Sequence, residues 1–165
     1  MIVVNGLSKA YALPGLRIGW IVSTKEIANK LWTYHDYTTL CQPALSEHMA
    51  IVALQPETRR RILARNRQIL ETNFPILTNW IEEHRENFSF KPPQASAMAY
   101  IKYNLKINST KFADRLMREK SVLVAPGDHF GMDGYLRIGY GTPKNYLMTG
   151  LNRFNEFVES IREQA

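Results

Sequence analysis

Two side chains set eight residues apart carry the first sign of chemistry: Lys9 and Arg17, within residues 5–19, NGLSKAYALPGLRIG. A lysine amine condenses with an aldehyde or ketone and, once released, can carry a proton between neighbouring atoms. A guanidinium pairs with phosphate through two parallel hydrogen bonds, which an ammonium cannot reproduce. Held on one loop, the two suit a ligand with a carbonyl for the amine and a dianion for the guanidinium. A third candidate is Arg137, in YLRIGYG at residues 135–141. Strand alternation puts it on the opposite face from Leu136 and Ile138. An arginine in so apolar a strand calls for an anion, supplied either by a ligand or by a structural carboxylate.

The elements around Lys9 and Arg17 read as strands. Ile2-Val3-Val4 leads into the loop and residues 18–22, IGWIV, lead out. Pro14-Gly15 forces a turn between them, because proline fixes one φ and glycine permits the neighbouring conformation. The first strand is apolar without alternation, which predicts burial on both faces. A two-stranded sheet is at best marginal in water, so the expectation is a chain that begins in the middle of a domain.

Composition narrows the classes. The 165 residues are 45% hydrophobic and 22% charged, which describes a globular chain rather than a disordered one. No apolar run approaches the roughly 20 residues of a membrane helix, and Met1 enters a strand with no basic leader. A cytoplasmic setting is the expectation. Cys41 is the only cysteine, which excludes an internal disulfide; its plain reading is a partly buried small apolar residue. The net charge of +6 peaks at Arg59-Arg60-Arg61, Arg65 and Arg67. Ile62, Leu63, Ile69 and Leu70 place those arginines on the outer face of an amphipathic helix, and no nucleic-acid signature accompanies them. Neither nucleic acid nor membrane is expected as a partner, and no metal site, since His35 and His48 lack partners at ligand spacing.

Downstream, Thr24 can cap a helix to about Tyr37, and Pro43 fits the start of a second, Ala44–Leu54. Pro56 opens a long helix to about Glu86, its stripe marked by Ile62, Ile69, Leu70, Leu77, Trp80 and Ile81. Pro75 is expected to kink or split it. His84 reads as exposed. The pattern then turns to strands at Phe88–Phe90 and 97–103, a helix from a Thr110 cap to Lys120, a strand at 122–124, a turn at 125–127 and a strand at 135–140. Thr142 caps the last helix, with Pro143 at its first position and Leu147, Leu151, Phe154 and Val158 facing inward. The fold class is α/β, with a boundary inside the long helix: residues 1–70 end a larger domain and 71–165 form a small α+β domain.

At these residues the chain resembles the class I/II aminotransferases, pyridoxal-phosphate enzymes of fold type I. Gly6, Leu7, Ser8, Lys9, Ala12, Leu13, Gly15, Arg17, Ile18 and Gly19 fill the family's lysine motif. Residues 125–131, APGDHFG, are similar to its Pro-Gly-x-x-Phe-Gly turn, and residues 135–141 to the strand whose arginine binds substrate. The resemblance implies that Lys9 forms the Schiff base with pyridoxal 5'-phosphate, that Arg17 binds its phosphate and that Arg137 binds the substrate's α-carboxylate. Many relatives carry a serine where this chain has Gly6, so that phosphate contact falls to backbone, Asn5 or Ser8. His129 stands at a turn position that varies in the family, which argues against an acid or base role.

The resemblance covers the C-terminal part of the family's layout. It implies the end of the large-domain sheet of a type I enzyme plus the complete small domain, from a homodimeric parent moving an amino group between an amino acid and a 2-oxo acid. The ring-stacking aromatic and the aspartate that pairs the pyridine nitrogen have no counterpart here, so the chain alone is expected to be inactive. Two alternatives remain: another pyridoxal-phosphate chemistry on the same fold, such as a lyase or decarboxylase, or the effector domain of a DNA-binding regulator.

Overall fold

A computed structural model describes residues 1–162. The chain divides into two compact units, Met1–Arg67 and Gln68–Ala165.

In the first unit, β1 (Val3–Gly6) and β2 (Gly19–Val22) form an antiparallel ribbon with Val3 opposite Val22 and Gly6 opposite Gly19. The glycines let the backbones close up. A Cβ on Gly6 would lie 3.0 Å from the Ile18 carbonyl oxygen, and one on Gly19 3.1 Å from that of Asn5. Two helices follow, α1 (Lys25–His35) and α2 (Ala44–Leu54). The core is small: Leu7, Tyr11 and Ala50 are buried, with Leu13, Leu16, Ile18, Trp20 and Ile62 against them. β1 is not the doubly buried strand its apolar sequence predicts, since Val4 is 74% exposed. Burial on both faces needs a layer on each side, and the buried side chains of this unit gather at the loop, not over the ribbon. Cys41 is exposed, not partly buried.

The long helix α3 (Pro56–Glu83) is unbroken. Pro75 does not split it: the residue lies on the exposed side, and the Thr78 hydroxyl donates to its carbonyl at 3.0 Å. The helix ends three residues before Glu86, where His84 turns out of it. That histidine is half-buried rather than exposed, its ring stacked on Trp80 and its Nδ1 2.7 Å from the Trp80 carbonyl.

The second unit is an antiparallel sheet in the order β3-β4-β6-β5: β3 (Phe88–Phe90), β4 (Met98–Tyr103), β6 (Tyr135–Gly139) and β5 (Ala125–Pro126). Alternation sends Ala99, Ile101 and Tyr103 of β4 and Leu136 and Ile138 of β6 into one core. There they meet Leu77, Trp80 and Ile81 of α3, Phe112 and Leu116 of α4 (Ser109–Lys120), and Leu147, Leu151, Phe154 and Val158 of α5 (Lys144–Arg162). The opposite face of the same strands carries Tyr100 and Arg137.

Three local expectations are corrected. Asn108, not Thr110, caps α4, its side-chain oxygen accepting the Thr110 amide at 3.0 Å. Residues 122–124 are not a strand. Ser121 closes α4 in a left-handed conformation and the Val122 amide donates back to Leu116, so pairing begins only at Ala125, opposite Arg137. The stretch read as a turn is therefore the edge strand, where Pro126 is tolerated. Finally, the Thr142 hydroxyl has no partner among the described residues and does not cap α5; the Thr142 carbonyl instead accepts from the buried Asn73 side-chain amide at 2.6 Å.

Candidate functional site

The loop from β1 to β2 is wound by its own backbone. The Leu7 amide donates to Ile18 and the Leu13 amide to Leu7, each at 3.0 Å, and the Ala12 amide to Lys9 at 2.9 Å. Pro14–Leu16 make one 3-10 turn, and Arg17 closes it in the left-handed region at φ 54°. Side chains of α3 pin this loop. Arg59 Nε donates to the Tyr11 hydroxyl at 3.1 Å, and Asn66 Nδ2 to the Ala10 carbonyl at 2.9 Å. Tyr11 and Leu7 are buried beneath, and Lys9 between them is exposed.

The fixed loop leaves its reactive ends open. Among the described residues, neither Lys9 nor Arg17 has an ion-pair partner, and Arg17 makes one side-chain hydrogen bond, Nη1 to the Pro14 carbonyl at 3.0 Å. The half-buried Ser8 hydroxyl has no hydrogen-bond partner among the described residues. Asn5 is less available: its side-chain oxygen accepts the Gly6 amide at 2.7 Å, so those two groups satisfy each other.

Arg137 belongs to the second unit. β6 runs between β4 and β5, and Arg137 is paired with Tyr100 on one side and Ala125 on the other. Its half-buried guanidinium has no carboxylate partner among the described residues, so the structural salt bridge is absent. What it meets is an aromatic ring: the guanidinium carbon lies over Phe130, 4.6 Å from the centroid.

Phe130 ends the turn Gly127–Phe130, which is fastened from both sides. Gly127 must lack a side chain because a Cβ there would run into the Met132 carbonyl oxygen. The Asp128 amide donates to the Ser109 hydroxyl at 3.0 Å. The Asp128 carboxylate accepts from the Thr110 hydroxyl at 2.6 Å and from the Asn108 amide at 3.1 Å. The Thr110 bond holds the Asp128 carboxyl below its ordinary range. Asp133 is lowered likewise, chiefly by the Ser109 backbone amide. Burial first, and those two carboxylates second, push the Tyr103 hydroxyl up to about 12. His129 is exposed, with Nε2 3.3 Å from the Thr110 hydroxyl.

Tyr11, Arg59 and Asn66 escape a reading of the sequence for chemistry, and Phe130 enters it only as part of the Pro-Gly-x-x-Phe-Gly turn. Arg59 reads as part of a solvated helix face and Asn66 draws no reading at all; their partners lie 48 and 56 residues away. One signal was available: Arg59, Ile62 and Asn66 fall at i, i+3 and i+7, the spacing of a single helix face. Among the described residues no cluster of three or more metal-ligating side chains forms, and no helix is long and apolar enough to cross a membrane.

The profile of the family "Aminotransferase class I and II" matches residues 1–154. The solved structure of a PLP-dependent aminotransferase from Streptococcus suis 89-1591 superposes with a TM-score of 0.91 at 36% identity, covering 96% of this chain and 42% of that one. The (5-formylfuran-3-yl)methyl phosphate transaminase of Methanocaldococcus jannaschii is 31% identical over 95% of this chain and 42% of its own length. Capreomycidine synthase of Streptomyces vinaceus is 33% identical over 91% of this chain and 38% of its own. The chain spans about two fifths of the length of the curated relatives it matches.

Proposed function

Because the chain belongs to the class I and II aminotransferases, we propose that it carries the lysine side of a pyridoxal-phosphate site and the arginine that reads the substrate. In the complete protein that site moves an amino group from an amino acid to a 2-oxo acid. In layout, the first unit is the end of the large cofactor-binding domain and the second is the small domain. The reading extends to a homodimeric, cytoplasmic parent; the exposed Leu45, Met49 and Ile51 of α2 offer apolar surface to other parts of such an assembly.

One observation carries the reading: a loop fixed by backbone and α3 contacts presents Lys9 and Arg17 with neither cation paired. The donor set suits pyridoxal phosphate: an exposed primary amine for the aldehyde, and for the phosphate the Ser8 hydroxyl and an Arg17 guanidinium with no ion-pair partner among the described residues and one bond, to the Pro14 carbonyl. When bound, the cofactor supplies an electron sink for charge developing at the substrate Cα. Lys9 Nζ, once released as a free amine, would take the substrate Cα proton and hold it for return. Arg17 fixes the phosphate end by its two-pronged bond. Arg137 grips the α-carboxylate through its two-pronged fork, which fixes that end of the amino acid. The chain alone lacks the ring-stacking and nitrogen-pairing groups and is read as inactive.

Borohydride reduction of the complete polypeptide with pyridoxal phosphate, followed by peptide mapping, tests the lysine. The label is expected on Lys9, and a label on another lysine overturns the assignment. For Arg137, lysine keeps the charge but loses the fork, so Arg137→Lys should lower kcat/KM for amino acids by roughly one to two powers of ten while cofactor binding persists.

A second reading, a different reaction on the same scaffold, is favoured by the likeness to capreomycidine synthase. A purified complete protein that turns over an amino acid without forming the 2-oxo acid would select it.

A further inference from the structure

The sheet face turned away from the core carries Tyr100 and Arg137 as cross-strand partners, and Phe130 covers the arginine from the turn. Tyr100 meets Phe130 edge-on, with centroids 6.1 Å apart and planes at 89°. The ring is thus held by a neighbour on one side and by a fastened turn behind it. Gly131 follows in a left-handed conformation, φ 70°, and its amide bonds the Asp128 carbonyl at 3.0 Å.

We propose that Phe130 is a positioning residue for carboxylate recognition, holding the Arg137 guanidinium in the orientation that leaves its fork open. The inference rests on Arg137 reading the substrate carboxylate. An aromatic face attracts a cation electrostatically, and here the guanidinium carbon sits over it. The guanidinium carries five N–H donors, and a phenyl ring sets none of a carboxylate's lone pairs against them. A carboxylate ligand needs those donors, so the ring restrains the group without a carboxylate's claim on them. No acidic side chain does the same job, because none pairs with Arg137 among the described residues. A carboxylate partner would orient the group but also consume the fork. Without the ring, the long side chain must lose its torsional freedom when substrate binds.

Phe130 is about half exposed, so replacing it leaves the core intact. Phe130→Leu removes the π face and keeps apolar bulk, while Phe130→Tyr keeps the face. In the chain labelled with 15N-arginine, the Arg137 Nε–H resonance should be shifted by the ring current. Phe130→Leu should abolish that shift and Phe130→Tyr retain it. In the complete enzyme, Phe130→Leu should raise KM for amino acids about five- to tenfold, the range a partly desolvated cation–π contact supports, with kcat changed less than about twofold. Phe130→Tyr should restore KM, and a substrate amine lacking the carboxylate should not respond to either change. An unshifted Arg137 resonance in the parent chain overturns the proposal. So does an unchanged KM in Phe130→Leu, or an equal loss on the amine. If Arg137→Lys leaves amino-acid kinetics untouched while the ring-current shift is present, the carboxylate reading itself falls and the contact is structural.

Discussion

The two units use apolar residues in opposite ways. Among the described residues, the second unit gathers nineteen buried hydrophobic residues into one core, and the first gathers three. Yet the first is no less apolar locally: Ile2, Val4, Ile21, Trp32, Leu45 and Ile51 all stand exposed on it. Apolar sequence becomes stability only where a second layer covers it, and α4, α5 and the end of α3 provide that layer for the sheet of the second unit. The lysine and phosphate-binding candidates sit in the unit with little core, on a loop held by hydrogen bonds. The carboxylate-reading candidate sits on a strand whose reverse side is the core.

Hydrogen exchange on the intact chain would sharpen the contrast most. Amides of Ile101, Leu136 and Ile138 should be protected at least about 10³-fold more than those of Val3, Val4 and Ile21, since the former open only with the core. Comparable protection in a verified monomer would erase the distinction. Truncating Phe154, packed against Trp80, Phe88 and Phe112, should cost about 3–5 kcal/mol in urea unfolding. Val4→Ala, at an exposed site, should stay within about 0.5 kcal/mol.

A smaller effect is expected at Asn73, buried in α3 and donating to the carbonyls of Tyr140 and Thr142 at 2.8 and 2.6 Å. Asn73→Leu leaves both acceptors unpaired and should cost about 1–3 kcal/mol. A neutral result would mean that α5 does not depend on this tie. The mildest test is Asp128. Its carboxyl is depressed in the folded chain, so it stabilises above the unfolded value of about 4 and loses that contribution as pH falls through the folded value. The difference in melting temperature between the parent chain and Asp128→Asn should be present at pH 7 and shrink as pH falls below about 4. A gap independent of pH would assign the effect to geometry alone.

Much of this layout is legible in the chain itself. Period-two alternation marks residues 98–103 and 135–139, and Pro43 and Pro56 mark helix starts, because those signals are local. Lys9, Arg17 and Arg137 are conspicuous as charges among apolar neighbours. What escapes is whatever depends on distant partners. The Asn108 cap outcompetes Thr110 because its oxygen reaches two amides. Val122 follows a helix-closing serine whose conformation nothing in its own type announces. Phe130 reads as a turn aromatic until β6 brings Arg137 over it. Burial of Ile2 and Val4 is misjudged for a related reason: a strand's sequence records the environment it suits, not the layers present to provide it.

Arg17 closes its turn with a positive φ, as Ala12 does five residues earlier. For a residue with a Cβ that conformation is uphill by roughly 1–2 kcal/mol. Glycine would relax it, partly offset by glycine's greater freedom when unfolded. But glycine has no guanidinium. A search for thermostable variants should therefore be drawn to position 17 and find there a more comfortable backbone with nothing left to hold a phosphate. The loop is a place where improving the fold and keeping the chemistry pull in opposite directions.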